Sequence, residues 1–422
     1  MNEQKLPVRL FQKREIDVRE TEGGGGPAPR WVLSGEALRK KAYAVSSQVD
    51  SIIAEFNNAT KMEPRVPTPI GIEIAPNAIA KSHRDSLKDF LADENGSDSV
   101  LGFYSETQFL VSVKTARHLE RIQQRLQTAN SYARGISAIT KVVKYRPDVI
   151  SCDTPEQPIM KAKLVTFRDS TTNDILETAF MEYCHAKGIK IRRCKYAEGL
   201  VVFKLTDVTL DGLSELANIE GLFSIEPMPL YHVCLDSLSQ PNSIPIMQPE
   251  EGVDYPILGI LDSGVERVPH LSPWIEGSSS PYPDDKLDKS HGTFVAGIAL
   301  YGEALLHTAN RAIKPCRLFD AAVFPKSQSG GIPEDEIIDN IDEAIKPQRD
   351  RIKVWNLSIG TNKQTSLQRF SDFGKALDSI QDSHEVLIIK SAGNCKNFTS
   401  GMEAERISES ADSTRSLVVG SI

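Results

Sequence analysis

The 422-residue chain is predicted to form an α/β doubly wound parallel sheet over residues 255–422, preceded by α+β units, and three observations carry that expectation. From residue 255 onward, apolar strand-like runs alternate with helical patterns, the order that gives a parallel sheet covered on both faces. Two earlier stretches each repeat the order βαββαβ. With 40% hydrophobic and 25% charged residues, the composition is that of a globular protein and excludes a mainly disordered chain.

Taken in order, residues 1–33 carry the run Gly23–Gly26 followed by Pro-Ala-Pro and read as a flexible segment. Residues 34–150 read as a helix plus a first βαββαβ unit. In the helix, Leu38, Val45, Val49, Ile52, Ile53 and Phe56 recur at helical spacing behind Ser34, a fitting N-cap. Then come a strand at Ile70–Ile74, a helix at 83–93, strands VLGFY and FLVSV, a helix at 116–128 and a strand at 138–145. Residues 151–233 repeat the order: a strand at 162–167, a helix at 172–186, strands IKIRRC and LVVFKL, a helix at 210–218 and a strand at 222–226. Both units are therefore expected to be ferredoxin-like, as an internal duplication would leave them. Residues 234–254, rich in Pro, Ser and acidic side chains without period, read as a linker.

The segment 255–422 supplies the strands ILGILD, RLFDAAV, KVWNLS, VLIIKSA and LVVGSI, with helices starting at His291 and spanning 333–345 and 366–380. Function in such sheets sits at the carboxyl ends of strands. Six cysteines without CxxC spacing indicate neither a disulfide framework nor a zinc site. No apolar run reaches about 18 residues, so no membrane-spanning helix is expected. The charged first 20 residues carry no secretory signal pattern, so the cytoplasm is the expected compartment. Of the net charge of −8, most lies after residue 250, where 18 Lys+Arg face 25 Asp+Glu. That balance, with no basic run, argues against nucleic acid as a partner.

Four short patterns sit where chemistry belongs. Asp262 ends an apolar strand in D-S-G, by itself a common turn signal. His291 opens H-G-T-F-V-A-G, where Gly292, Ala296 and Gly297 imply close packing beyond what a helix cap needs. Ser358, Ile359 and Gly360 end a strand, and Asn394 follows Gly393 at the end of another. In this order they resemble the subtilase family, the subtilisin-like serine proteases, over Tyr255–Ile422, with the D-S-G and H-G-T-x-V-A-G pair as the most specific part.

The resemblance implies a subtilisin-like fold and a serine endopeptidase acting on protein or peptide substrates. His291 would be the general base, Asp262 the group that orients it, and Asn394 the oxyanion donor. Ser358, Ile359 and Gly360 would pair with substrate as an added strand. Phe294 stands where many members carry a second, non-triad His. The family's nucleophile motif, G-T-S-M-A-x-P, is missing from the 28 residues after Asn394; Ser400 in FTSGME lacks the preceding Gly and is expected to be a loop serine. This form is therefore expected to be inactive, a shortened version of an active protease.

The unit before the linker resembles the ferredoxin-like propeptide of secreted subtilases. With no signal, the chain is similar to intracellular bacterial subtilases, some of them paired with an AAA-type ATPase in phage defence. The alternative function is a degenerate protease that binds a peptide or partner, such as that ATPase, without cutting. No cofactor is expected; Asp284, Asp285 and Asp288 are the candidates for Ca²⁺, but their spacing fits no calcium-loop template and a solvated loop is the better reading.

Overall fold

The computed structural model describes residues 29–58, 66–79, 81–150, 159–233, 246–305, 315–326, 331–361, 363–366, 369–393 and 407–420. The chain divides into two compact units, residues 1–60 with 67–145 and residues 61–66 with 146–422. Among the described residues, no helix is long and apolar enough to cross a membrane.

The first unit runs α1 (Gly35–Asn58), β1 (Thr68–Ile74), α2 (Lys81–Leu91), β2 (Val100–Phe103), β3 (Gln108–Val113), α3 (Ala116–Gln127), α4 (Ala133–Ala138) and β4 (Ile139–Lys144). Its sheet is antiparallel in the order β2-β3-β1-β4, the ferredoxin-like arrangement expected from the βαββαβ pattern. The helical period of α1 buries Leu38, Val45, Val49, Ile52 and Phe56 in one core with Ile70 and Ile72 of β1. The short helix α4 is an addition that the sequence pattern did not announce.

The second unit begins with β5 (Asp148–Val149), β6 (Met160–Leu164), α5 (Ser170–Ala186), β7 (Lys190–Cys194), β8 (Val202–Thr206), α6 (Leu210–Leu216) and β9 (Leu222–Pro227). Its sheet order, β5-β9-β6-β8-β7, adds one parallel edge strand to a second ferredoxin-like sheet. Strand β6 begins two residues earlier than expected, where Met160 pairs with Leu205 of β8 and Pro227 of β9. Asp169 caps α5 by accepting from the Thr172 amide. The chain then forms β10 (Leu230–Tyr231).

The remainder comprises β11 (Ile257–Asp262), β12 (Ile275–Ser279), α7 (Ser290–Leu305), β13 (Arg317–Ala322), β14 (Ile332–Pro333), α8 (Glu334–Ile345), β15 (Val354–Leu357), α9 (Asp372–His384), β16 (Leu387–Ser391) and β17 (Leu417–Val419). Six of these strands make one parallel sheet, β12-β13-β11-β15-β16-β17. Strand side chains alternate between its faces. Leu261, Phe319, Trp355 and Leu357 pack toward α8 and α9, while Ile260 and Leu318 pack toward α7. The sheet is therefore doubly wound, as predicted. Helix α9 starts six residues later than expected because Ser371 accepts from the Gly374 amide and sets the N-terminus there. Within the expected linker, Met247 is fastened to the α7 side, where its carbonyl accepts from Trp274 Nε1 at 3.0 Å.

The β6-β8-β7 sheet docks on α8 and α9, and Cys194, Tyr196, Val202 and Tyr231 share one apolar core with Ile337, Trp355 and Phe373. Around that core the contact is ionic. Lys161, only 3% exposed, donates to Glu334 at 2.7 Å and lies 2.9 Å from Asp372; Arg192 and Lys204 meet Asp335, and Lys195 meets Asp342. Glu334, Asp335 and Asp372 open α8 and α9, where the helix dipoles favour negative charge.

Candidate active site

Asp262 ends β11 and is fully buried. Its Oδ1 accepts from the Ser263 amide at 2.7 Å and lies 2.7 Å from His291 Nδ1, in the first turn of α7. Donation from Nδ1–H to the carboxylate leaves the Nε2 lone pair as the basic site of the ring. The approach of helix and strand depends on Gly292, since a Cβ there would run into the Gly264 carbonyl. This is the close packing that the small residues after His291 imply. Thr293 ties the two loops, accepting from the Glu266 amide at 2.8 Å and donating to the Lys289 carbonyl.

Asp320 on β13 supports the same turn. Its Oδ1 accepts from the Val265 amide at 3.1 Å, and burial, followed by weaker effects that include the charge of Asp262, leaves its carboxyl raised to about 6. Lys390 on β16 is a further charged group buried in the sheet. Both were overlooked in the sequence, although a lone charge in an apolar strand (RLFDAAV, VLIIKSA) is a readable signal.

Ser358, Ile359 and Gly360 continue β15, with Asn356 Nδ2 donating to Ser358 Oγ at 2.8 Å. They face an occupant from the same chain. β10 pairs antiparallel with β14, Leu230 opposite Pro333 and Tyr231 opposite Ile332, and the His232 amide donates to the Gly360 carbonyl at 3.3 Å. Residues 230–233 thus lie extended between two strand edges. Gly331 makes room for them: with φ of +110° it suits glycine alone, and a Cβ would sit 2.6 Å from the Tyr231 carbonyl.

Asn394 and Ser400 lie outside the described residues, so the structure brings together Asp262 and His291, and separately 358–360 with the tail. Phe294 and Ile298 are exposed on α7. Asp284 is paired with Lys289, Asp288 accepts from Ser290, and no cluster suited to a metal ion occurs among the described residues.

Residues 254–422 match the model of the Subtilase family. Among solved structures, a mutant of the epidermin leader peptide processing serine protease (EpiP) from Staphylococcus aureus matches at 15% identity, covering 63% of this chain and 70% of that one, with a TM-score of 0.39. None of the curated proteins matches the chain. The family match falls on the segment whose strand β11 ends in Asp262 and whose helix α7 carries His291 in its first turn.

Proposed function

We propose that residues 254–422 supply the Asp and His of a subtilisin-type serine endopeptidase that hydrolyses protein substrates through an Asp/His/Ser triad. The observation that carries this reading is the 2.7 Å contact between His291 Nδ1 and the buried Asp262 carboxylate. In this role His291 Nε2 takes the nucleophile's proton and returns it to the leaving amine, while Asp262 fixes the tautomer and stabilises the imidazolium. Asn394 is assigned to the oxyanion, a donor whose removal in subtilisin costs about 2.7–4 kcal/mol. Gly360, with Ser358 and Ile359, offers the backbone edge to substrate, a role supported by the antiparallel bridge to His232.

The 422 residues contain no G-T-S-M-A-x-P motif, so this form on its own is assigned no peptide cleavage beyond the roughly 10³–10⁴-fold effect of binding and oxyanion groups alone. The unit formed by β6 to β9 acts as a propeptide-like occupant whose tail fills the substrate edge. That tail also favours the second reading, a peptide-binding module without chemistry, because an extended segment is already held there.

A fluorophosphonate probe separates the readings. The polypeptide extended through a downstream G-T-S motif should be labelled and should hydrolyse casein, and Asp262→Asn or His291→Ala should abolish hydrolysis. Labelling of residues 1–422, or hydrolysis retained by His291→Ala, would overturn the assignment.

A further inference from the structure

Lys390 is fully buried on β16, opposite Leu357 of β15 and Val418 of β17. An ammonium in such a place costs several kcal/mol unless a carboxylate offsets it. None does: among the described residues the amine forms no ion pair and no charged group acts on it, and burial alone pulls it down to about 7. Its three donors go to oxygens, the Ile359 carbonyl, the Ser391 carbonyl at 2.9 Å and Ser391 Oγ at 3.0 Å. Ser391 Oγ also donates to the Ile359 carbonyl at 3.1 Å.

These partners lie on two walls. Successive carbonyls of extended backbone point to opposite sides. Gly360 turns its carbonyl to the tail at His232, and Ile359, one residue earlier, turns its own toward β16, where Lys390 meets it. Ser391 ends β16, and Asn394 follows it three residues later in the sequence.

We propose that Lys390 is a positioning residue: its protonated amine clamps the substrate-pairing strand 358–360 to the end of β16 at Ser391, three residues before Asn394 in the sequence, so that the two walls hold a fixed spacing. The proposal rests on the reading of 358–360 and Asn394 as substrate and oxyanion groups. All three protons are needed, because a neutral amine has two donors and turns a lone pair toward one of the three oxygens. The clamp is present below about pH 7 and is lost as the pH rises through that value.

Amide hydrogen exchange on residues 1–422 tests the clamp without catalysis. Three amides report it: His232 bonded to Gly360, Thr361 bonded to Ser408 Oγ, and Ala392 bonded to Val419. After correction for intrinsic exchange, their protection should fall about tenfold between pH 6 and 8.5, the loss of one net hydrogen bond. Lys390→Arg, which stays charged, should keep protection at both pH values, and Lys390→Met should show the low value at both. Protection independent of pH in the unsubstituted protein overturns the proposal, whether or not Lys390→Met folds. In the polypeptide carrying G-T-S, kcat/KM should show an alkaline limb that Lys390→Arg removes. Hydrolysis without that limb refutes the clamp and leaves the protease reading intact; a pH-dependent clamp in a form that never hydrolyses refutes the protease reading instead.

Discussion

Truncating Glu334 is the perturbation that most directly tests how the β6 to β9 unit is held on the parallel-sheet region. Glu334 is 3% exposed and accepts from Lys161 Nζ at 2.7 Å, Tyr196 Oη at 2.7 Å and Tyr231 Oη at 3.0 Å. In Glu334→Ala, Lys161 keeps Asp372, but both hydroxyls lose their carboxylate inside the core, at about 1–3 kcal/mol each. Removing one partner of a buried pair costs about 3–5 kcal/mol as a whole. We expect a loss of about 4 kcal/mol, with Glu334→Gln, which retains one acceptor, in between. Urea unfolding followed by tryptophan fluorescence measures it in a Trp31→Phe background, where Trp274 and Trp355 report the second unit alone. A Lys161→Met, Glu334→Ala double-mutant cycle should give a coupling of at least about 1 kcal/mol. A loss under about 1 kcal/mol, or additive single effects, would refute the idea that this carboxylate is the hub of the interface.

The same network fixes a pH response. Burial opposes ionisation of Asp372, but Lys161, Lys163 and Lys375 outweigh it and hold the carboxyl well below the usual range. Burial likewise opposes the charge on Lys161, and Glu334 and Asp372 raise it above the ordinary value. A depressed carboxylate contributes stability above its unfolded pKa of 3.8 and loses it only in stronger acid. The docked unit should therefore stay in place from pH 5 to 9, and release near pH 6, seen as proteolytic sensitivity of residues 159–233, would contradict this account.

Asp320→Asn keeps an acceptor for Val265 while removing a carboxyl raised from 3.8 to about 6, so the fold loses stability between those values as pH rises; the variant should flatten that slope and gain up to about 3 kcal/mol at pH 7 by calorimetry. Lys390→Met should stabilise the fold near pH 6 while loosening the clamp, because the lysine, lowered from 10.5 to about 7, binds fewer protons folded than unfolded and stability rises with pH between those values. A Lys390→Met melting point below that of the unsubstituted protein would count against this sign. Gly292→Ala should cost about 1–3 kcal/mol and disturb the His291 ring resonances, since its Cβ collides with Gly264; an unchanged melting point would mean the helix can shift freely.

The sheet was legible because its strands are buried on both faces and so appear as apolar runs bounded by turns, and because Asp262 and His291 stand at the end of one element and the start of the next. What escaped the sequence has a common physical form. Strands β10 and β14 are two residues each, and no period can be read from two residues; they exist because Gly331 leaves room and because the Glu334 amide donates to the Pro229 carbonyl at 2.9 Å. Glu334 and Lys161 look like surface charges in their local sequence, being 173 positions apart, and only docking buries them. Lys390 and Asp320 differ from these: each interrupts an apolar strand, a conflict between local and global rules of the kind expected at functional or strained sites. Asp262 belongs with them, a third carboxyl or amine at the interior end of a strand. Asp262 ends β11, Asp320 and Lys390 lie within the last three residues of β13 and β16, and each holds one of the turns from which the candidate site is built. A charge buried in that position loses hydration but gains fixed backbone and side-chain partners, so each of the three turns is held to one geometry by a group that has no other place to satisfy its hydrogen bonds.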